Sequence, residues 1–449
     1  MSDCPLSYKS NNASDKRAVL ATFLLSILSG HHRYAHITGI RNDGIHPELL
    51  GVTQLVSEDA ARRALVKMEE APGVAWLDRH LAKTTRPLLS TPWILDLDAT
   101  VKCLYGKQEG AVAGYNPKKP GRPSHSYHSA LMANTRLALA VEVMAGNETA
   151  PAHSMPGIWV WLDSLSKAER PALLRGDVAF GNESVLRSAE ERDQPYLSKL
   201  RLTKNVKELI KKLFREDRWE NAGQGWEGLE DSLTLTGWSR SRRVVVLRRK
   251  LTGEILLTGK ENPQDEFAFI ADDIFATRYE YAVLVTSTQY EVLTLAQLYR
   301  DRADAENNFD ELKNQWGWGG FTTQDLARCR IMARMVALVY NWWNLFVRLA
   351  QPNKHLEAIT SRPLLLHGVA TQTRHGGQTR LTITSTHAKQ SAIQTMLTRL
   401  AGFLNSLKTT AEQLTDTQRL QAMLNRAFAK FIRMAANPPA LPATHLRGI

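Results

Sequence analysis

The sequence predicts a mixed α/β protein, a sheet flanked by helices with helical regions at both ends. From Trp93 onward the hydrophobic pattern changes to a period of two, and "WILDLDATV", "YHSALMANT" and "LALAVEVMA" follow as neighbouring strand candidates. After them strands alternate with helices: "GIWVWLDSL" reads as a helix, "ALLRGDVAF" and "PYLSKLRL" as strands. Toward the C-terminus, Ile393, Met396, Leu397, Leu400, Phe403, Leu404 and Leu407 keep helical spacing, as do Leu420, Met423, Leu424, Phe428 and Phe431.

Residues 1–90 read as helical. The apolar run 19–28 has no small-residue cleavage site and falls short of the ~20 residues that span a bilayer, so a buried helix is expected. In "HPELLGVTQLVSEDAARRALVKM", Ser57 is placed to cap a helix with Glu58 and Asp59 in its first turn; a helix-turn-helix is the competing reading. His31, His32 and His36 lack a nearby Cys or acidic partner and read as a polar turn rather than a metal site. A stretch rich in strand residues, 218–286, carries "DSLTLTGWS", "RRVVVLRR", "EILLTG" and "YEYAVLVTS" and is expected to be a β-rich insertion subdomain. It would divide a core of 91–217 and 287–350, leaving 351–449 as a helical region suited to dimerisation. The run 331–347 is interrupted by Arg334, Asn341 and Asn344, which fits a buried helix and not a membrane span.

Composition narrows the partner. Lys and Arg exceed Asp and Glu by 12, with a pI near 9.6, which favours a polyanion such as nucleic acid. Cys4, Cys103 and Cys329 are too scattered for a disulfide framework or a zinc site, so a reducing, cytoplasmic setting is expected.

Three carboxylates stand out. In "WILDLDATV", Asp96 and Asp98 share one strand face while Leu95, Leu97, Ala99 and Val101 make the other. In "ALLRGDVAF", Asp177 again lies in an apolar strand, next to Gly176. Carboxylates in such surroundings need a partner, and a divalent ion is a good one. The third lies in "YRDRADAENNFDELK". Placed on one helix, Tyr299, Arg302, Glu306 and Lys313 fall within roughly 60° of one another, beside an apolar stripe of Leu298, Ala305, Phe309, Leu312 and Trp316. Arg300, Asp301, Asp304 and Glu311 then point toward solvent. A salt-bridged solvent face would give a similar composition. Asp98 or Asp96, with Asp177 and Glu306, can converge on Mg²⁺, and two ions about 4 Å apart suit phosphodiester chemistry.

The row Tyr299-x2-Arg302-x3-Glu306-x6-Lys313 resembles the tyrosine-arginine-glutamate-lysine signature of bacterial insertion-sequence DDE transposases. "DLDAT" and "RGDVAFGNE" resemble that family's two Asp strands, and "LYGKQEGAVAGYNPKKPGRPSHSY" a loop found after the first Asp in one branch. The resemblance covers about residues 90–350. It implies an RNase H-like core, and Mg²⁺ (with Mn²⁺ able to substitute) at Asp98, Asp177 and Glu306. The family's Asp-x-Thr pattern favours Asp98 over Asp96. It also implies cutting at the element's terminal inverted repeats and joining of the freed 3′-hydroxyl to target DNA, in a protein that pairs two ends as a homodimer. Tyr299, Arg302 and Lys313 would then meet DNA phosphates. Lys118, Lys119 and Arg122, stiffened between prolines, are expected to contact DNA as well. Trp226 and Trp238 are candidates for stacking on an extruded base, with packing of a small β subdomain as the preferred reading. Two other functions stay open: an RNase H-like nuclease that never joins strands, and a domesticated DNA-binding protein without chemistry.

Overall fold

The computed structural model describes residues 3–8, 13–42, 47, 51–116, 119–251, 279–352, 354–384, 388–409 and 414–436. Lys118 and the strand candidate "EILLTG" lie outside them.

Among the described residues one ten-stranded sheet dominates. Its strands are β1 (Ile94–Cys103), β2 (Val112–Ala113), β3 (Pro123–Met132), β4 (Leu137–Ala145), β5 (Leu173–Gly176), β6 (Tyr196–Lys199), β7 (Glu220–Gly223), β8 (Trp226–Leu233), β9 (Arg242–Lys250) and β10 (Tyr279–Thr286). The order is β2-β3-β1-β5-β6-β10-β9-β8-β7, with β4 also paired to β3. β4, β3 and β1 form an antiparallel meander, and β5 and β6 then run parallel to β1. This is the RNase H-like arrangement that the resemblance implies. The strands of 218–286 that are described do not stand apart: β10 pairs with β6, and β9, β8 and β7 continue the same sheet outward.

The two faces of the sheet are covered differently. The larger core holds Leu95, Leu97 and Leu174 together with the helix Leu326–Ala350, whose residues are mostly buried. The helix Lys16–Leu28 also belongs to this core, as expected for run 19–28. The opposite face carries a smaller cluster in which Leu173, Leu197, Val245 and Leu284 pack under the helix Val292–Arg300. By strand alternation this second face is also the one that bears Asp96, Asp98 and Arg175. Among the described residues no helix is long and apolar enough to cross a membrane.

Local signals were followed where they were strong. Ser57 caps the helix Glu58–Lys67 by accepting from the Ala60 N–H at 3.2 Å. The region after 350 departs from the all-helical expectation. Besides helices Ala358–Leu365, Gln390–Thr409, Asp416–Ala427 and Ala429–Ala436, it contains a hairpin, β11 (Ala370–His375) with β12 (Gln378–Ile383). Its two-residue turn is Gly376-Gly377 at φ 56° and 77°, the positive values such a turn requires.

β1 and β5 are fixed in register by a buried ion pair. Arg175 Nε and Nη2 donate to the two carboxylate oxygens of Asp96 at 2.6 and 2.7 Å, and Arg175 Nη1 donates to the carbonyl of Leu298. Removing one partner of a buried pair strands the other charge, at a cost of ~3–5 kcal/mol. Asp96→Leu is therefore expected to lower the thermal midpoint markedly, and Asp96→Leu combined with Arg175→Met to recover much of the loss. Thermal melts of the three proteins decide this; equal midpoints would mean that the pair does not hold the strands.

Candidate active site

The parallel register places the two aspartates side by side. Asp96 is opposite Arg175 and Leu97 opposite Gly176, so Asp98 comes next to Asp177, one residue beyond the end of β5. Gly176 is required there: a Cβ on it would sit 2.5 Å from that of Phe180, which folds back over the strand end. The following turn is held by the Ala179 N–H donating to Asp177 Oδ1 at 2.9 Å and the Phe180 N–H to the Asp177 carbonyl at 3.1 Å. Asp98 is largely buried, and its Oδ1 accepts from the Ala99 N–H at 2.8 Å.

The stretch 299–313 is not one helix. The helix Val292–Arg300 ends, Asp301 and Arg302 form a tight turn, and the helix Ala303–Gln315 begins. The Asp304 and Ala305 N–H groups bond three residues back, to Asp301 and Arg302. Tyr299 thus closes one helix and Glu306 lies in the first turn of the next, with Arg302 at the junction. Arg302 is 3% exposed, with Nη2 3.0 Å from Asp98 Oδ2 and Nη1 donating to Glu306 Oε1 at 2.9 Å. Lys313 Nζ donates to the Val101 carbonyl at 2.7 Å, which seats the second helix against β1.

One of the four side chains expected to face solvent does otherwise. Glu311 is 1% exposed: it accepts from His355 Nε2 at 2.7 Å, Trp316 Nε1 at 3.2 Å and the Ala358 N–H at 3.0 Å. Asp304 is half-exposed and accepts from Arg136 Nε and Nη2. Breaking the helix rotates the second segment relative to a continuous one, and the wheel drawn through both misplaces Glu311.

The electrostatics tie the row to the strands. Burial pushes the Asp98 carboxyl up to about 6; Arg302 pulls against this, while the charges of Asp177 and Glu306 add to it. Burial also raises Tyr299 to about 12, and Asp177, Glu306 and Asp98 all act on it in the same direction. Burial opposes the charge of Arg302, yet Asp98, Tyr299, Asp177 and Glu306 outweigh burial and raise its pKa. Asp98, Asp177, Glu306, Tyr299 and Arg302 therefore form one electrostatic cluster. Asp96 is engaged differently: both of its oxygens are taken by the Arg175 fork, and burial raises its pKa.

The donor set is all carboxylate oxygen, the chemistry suited to Mg²⁺. Among the described residues no three His, Cys, Asp or Glu side chains stand close enough together to hold a metal ion, and Arg302 lies between Asp98 and Glu306. Glu306, 64% exposed, would have to turn from Arg302 toward the aspartates to complete a set.

The other candidates have plain positions. Lys119 Nζ donates to the Tyr105 hydroxyl at 2.7 Å and Arg122 lies 4.8 Å over the Tyr105 ring. Trp226 and Trp238 pack at the edges of the cores, each under an arginine, Arg249 and Arg242, at 4.8 Å. His31 and His36 meet edge to face, with His31 Nδ1 3.1 Å from the Ser26 hydroxyl.

Residues 89–342, more than half of the chain, match the family model of the transposase DDE domain. The chain belongs to that family. No curated protein matches it. Among solved structures it is similar to a piggyBac transposase synaptic complex with hairpin DNA, at 10% identity and a TM-score of 0.39, covering 94% of this chain and 76% of that one.

The raised carboxyl of Asp98 makes a prediction for the metal-free protein. Its folded pKa, about 6, exceeds its ordinary 3.8, so ionisation destabilises the fold as pH rises through that window. Asp98→Asn is expected to match wild type at pH values below 3.8 and to gain on it by up to about 3 kcal/mol above pH 6. Unfolding curves across that range test it; a pH-independent difference would mean that Asp98 does not titrate in this way.

Proposed function

We propose that the protein is a DNA transposase that cuts at the ends of an insertion sequence and transfers the freed 3′-hydroxyl into target DNA. The observation that carries the proposal is the coupling of Asp98, Asp177 and Glu306 around Arg302, within a chain of the DDE-domain family. Those three carboxylates would hold the divalent ions, Mg²⁺ or Mn²⁺, which supply Lewis acidity at the scissile phosphate. Asp98 is preferred to Asp96 because the Asp96 oxygens are already engaged by Arg175.

The surrounding residues have separable tasks. Arg302 presents a rigid fork at the edge of the carboxylates and suits a phosphate once Glu306 turns away from it. Tyr299, half-buried and kept neutral, offers a hydroxyl beside the same groups. Lys313 brings a point charge one strand segment along, and Lys119 and Arg122 extend the basic surface, with Lys118 beside them in sequence. A dimer holding two inverted-repeat ends in the cytoplasm is the assembly this reaction requires.

Glu306→Gln is expected to abolish Mg²⁺-dependent nicking of DNA carrying the gene's flanking ends, with end binding by gel shift close to wild type. Nicking that survived would refute the assigned carboxylates; lost nicking with tight binding in wild type as well would leave a DNA-binding relative without chemistry. Binding should also fall steeply with salt, log K being linear in log salt concentration, as counterion release demands. A flat salt profile would remove the basic surface as the footprint.

A further inference from the structure

A cavity of about 830 Å³ opens at the far end of β1 from the carboxylates. It is assembled from four stretches distant in sequence: the turn at 32–35, Arg62 on the helix Glu58–Lys67, the end of β1 with its following loop, and the segment 313–322. Among the described residues that line it none is acidic, while Arg33, Arg62, Lys102 and Lys313 all reach it. Arg62 keeps one ion pair, with Glu58 a turn earlier at 2.9 Å, and lies 5.0 Å over the Tyr34 ring. Lys102 is 4% exposed, and its ammonium donates to the carbonyl of Gly320. Burial pulls its pKa down to about 8, so it still carries its charge at neutral pH, and an anion arriving there would favour the charged form further.

The cavity is in line with the carboxylates. Asp98, Thr100 and Lys102 share one face of β1, so Lys102 is about 13 Å along the strand from Asp98. That is about four nucleotide spacings of a stacked strand. Lys313 belongs both to the row that contains Glu306 and to the cavity wall. At the mouth, Tyr105 is 69% exposed, and it is the residue on which Lys119 and Arg122 converge. The basic loop, an exposed ring and the cationic cavity are therefore continuous.

We propose that this cavity holds a single-stranded segment of the DNA substrate, one or two nucleotides long and about four nucleotide spacings to one side of the scissile phosphate. Arg33, Arg62 and Lys102 face its phosphates, and Tyr105 offers a stacking surface to a base. The size is that of a small-molecule pocket, which an unpaired strand can enter and a stiff duplex cannot. The absence of carboxylates among the described lining residues suits phosphate, and the exposed aromatic suits a base that has left its partner. This inference rests on the reading of the protein as a DNA transposase.

The test is fluorescence anisotropy with full-length protein and the gene's flanking end as a duplex, either blunt or with a short oligothymidine tail. Wild type is expected to prefer the tailed duplex by roughly fivefold or more, the lower range of one base–aromatic stack. Tyr105→Leu and Arg33→Gln, both at exposed positions, should lose that preference while keeping affinity for the blunt duplex. Equal wild-type binding of the two duplexes overturns the inference and leaves the transposase reading standing. So does an equal loss on both duplexes in the variants, which would make these residues ordinary duplex contacts. Failure of wild type to bind either duplex would instead overturn the transposase reading, and the inference with it.

Discussion

The site depends on the three nitrogens of Arg175. Two are committed to Asp96 on the neighbouring strand and one to the carbonyl of Leu298, near the end of the helix that covers that face of the sheet. One side chain thus sets the register of β1 on β5 and the position of the helix end relative to both. A slip of one residue between these strands would turn Asp98 to the apolar face and leave Arg175 opposite a leucine. The net stabilisation of a buried ion pair can be close to zero, since desolvation offsets attraction. Its effect here is to exclude the alternatives, each of which leaves a charge buried without a partner.

From that anchored helix end the chain turns at Asp301–Arg302, and the turn decides what reaches the carboxylates. Were the helix continuous, Arg302 and Glu306 would lie one turn apart along one straight face. With the break, Arg302 is driven inward to 3% exposure while Glu306 stays near the surface. The guanidinium then balances a group of carboxylates in which burial, with a smaller push from Asp177 and Glu306, holds Asp98 near pKa 6. Under the function proposed above, a divalent cation would compete with Arg302 for the same negative potential, so its arrival would free Arg302 for phosphate. This coupling follows from charge balance alone and requires no large movement of the sheet.

Much of this was legible in the sequence, for reasons that differ from residue to residue. Strand alternation around Asp96 and Asp98 is a strong local signal because the opposite face is wholly apolar. The spacing of Tyr299, Arg302, Glu306 and Lys313 marked the row, although the helix break within it carries no proline or glycine and was not visible. Glu311 was misplaced for that reason: its burial depends on His355 and Ala358, more than forty residues away, which no local pattern reveals. The partner of Asp96 was likewise hidden, since Arg175 is 79 residues distant and looks like any charged residue beside a glycine. The β11–β12 hairpin was within reach, because His-Gly-Gly-Gln between alternating residues is a turn signal, but it was overshadowed by the helical periodicity that follows. The cavity could not be anticipated, as its walls come from four distant stretches.

The extension of the sheet by β7–β10 bears on the same site from the other side. Val292 packs so closely over β8 that a Cβ on Gly228 would fall 2.2 Å from its Cγ1. Leu247, Ala282 and Leu284 complete the floor beneath the helix Val292–Arg300. That helix is thus held at its start by the outer strands and at its end by Arg175 on the inner ones. Tyr299 and Arg302 inherit their positions from both. A β-rich segment placed between the second aspartate and the glutamate therefore serves as more than an insertion to be accommodated: without its strands the helix would have a floor at one end only, and the turn that drives Arg302 toward Asp98 would lose its fixed base.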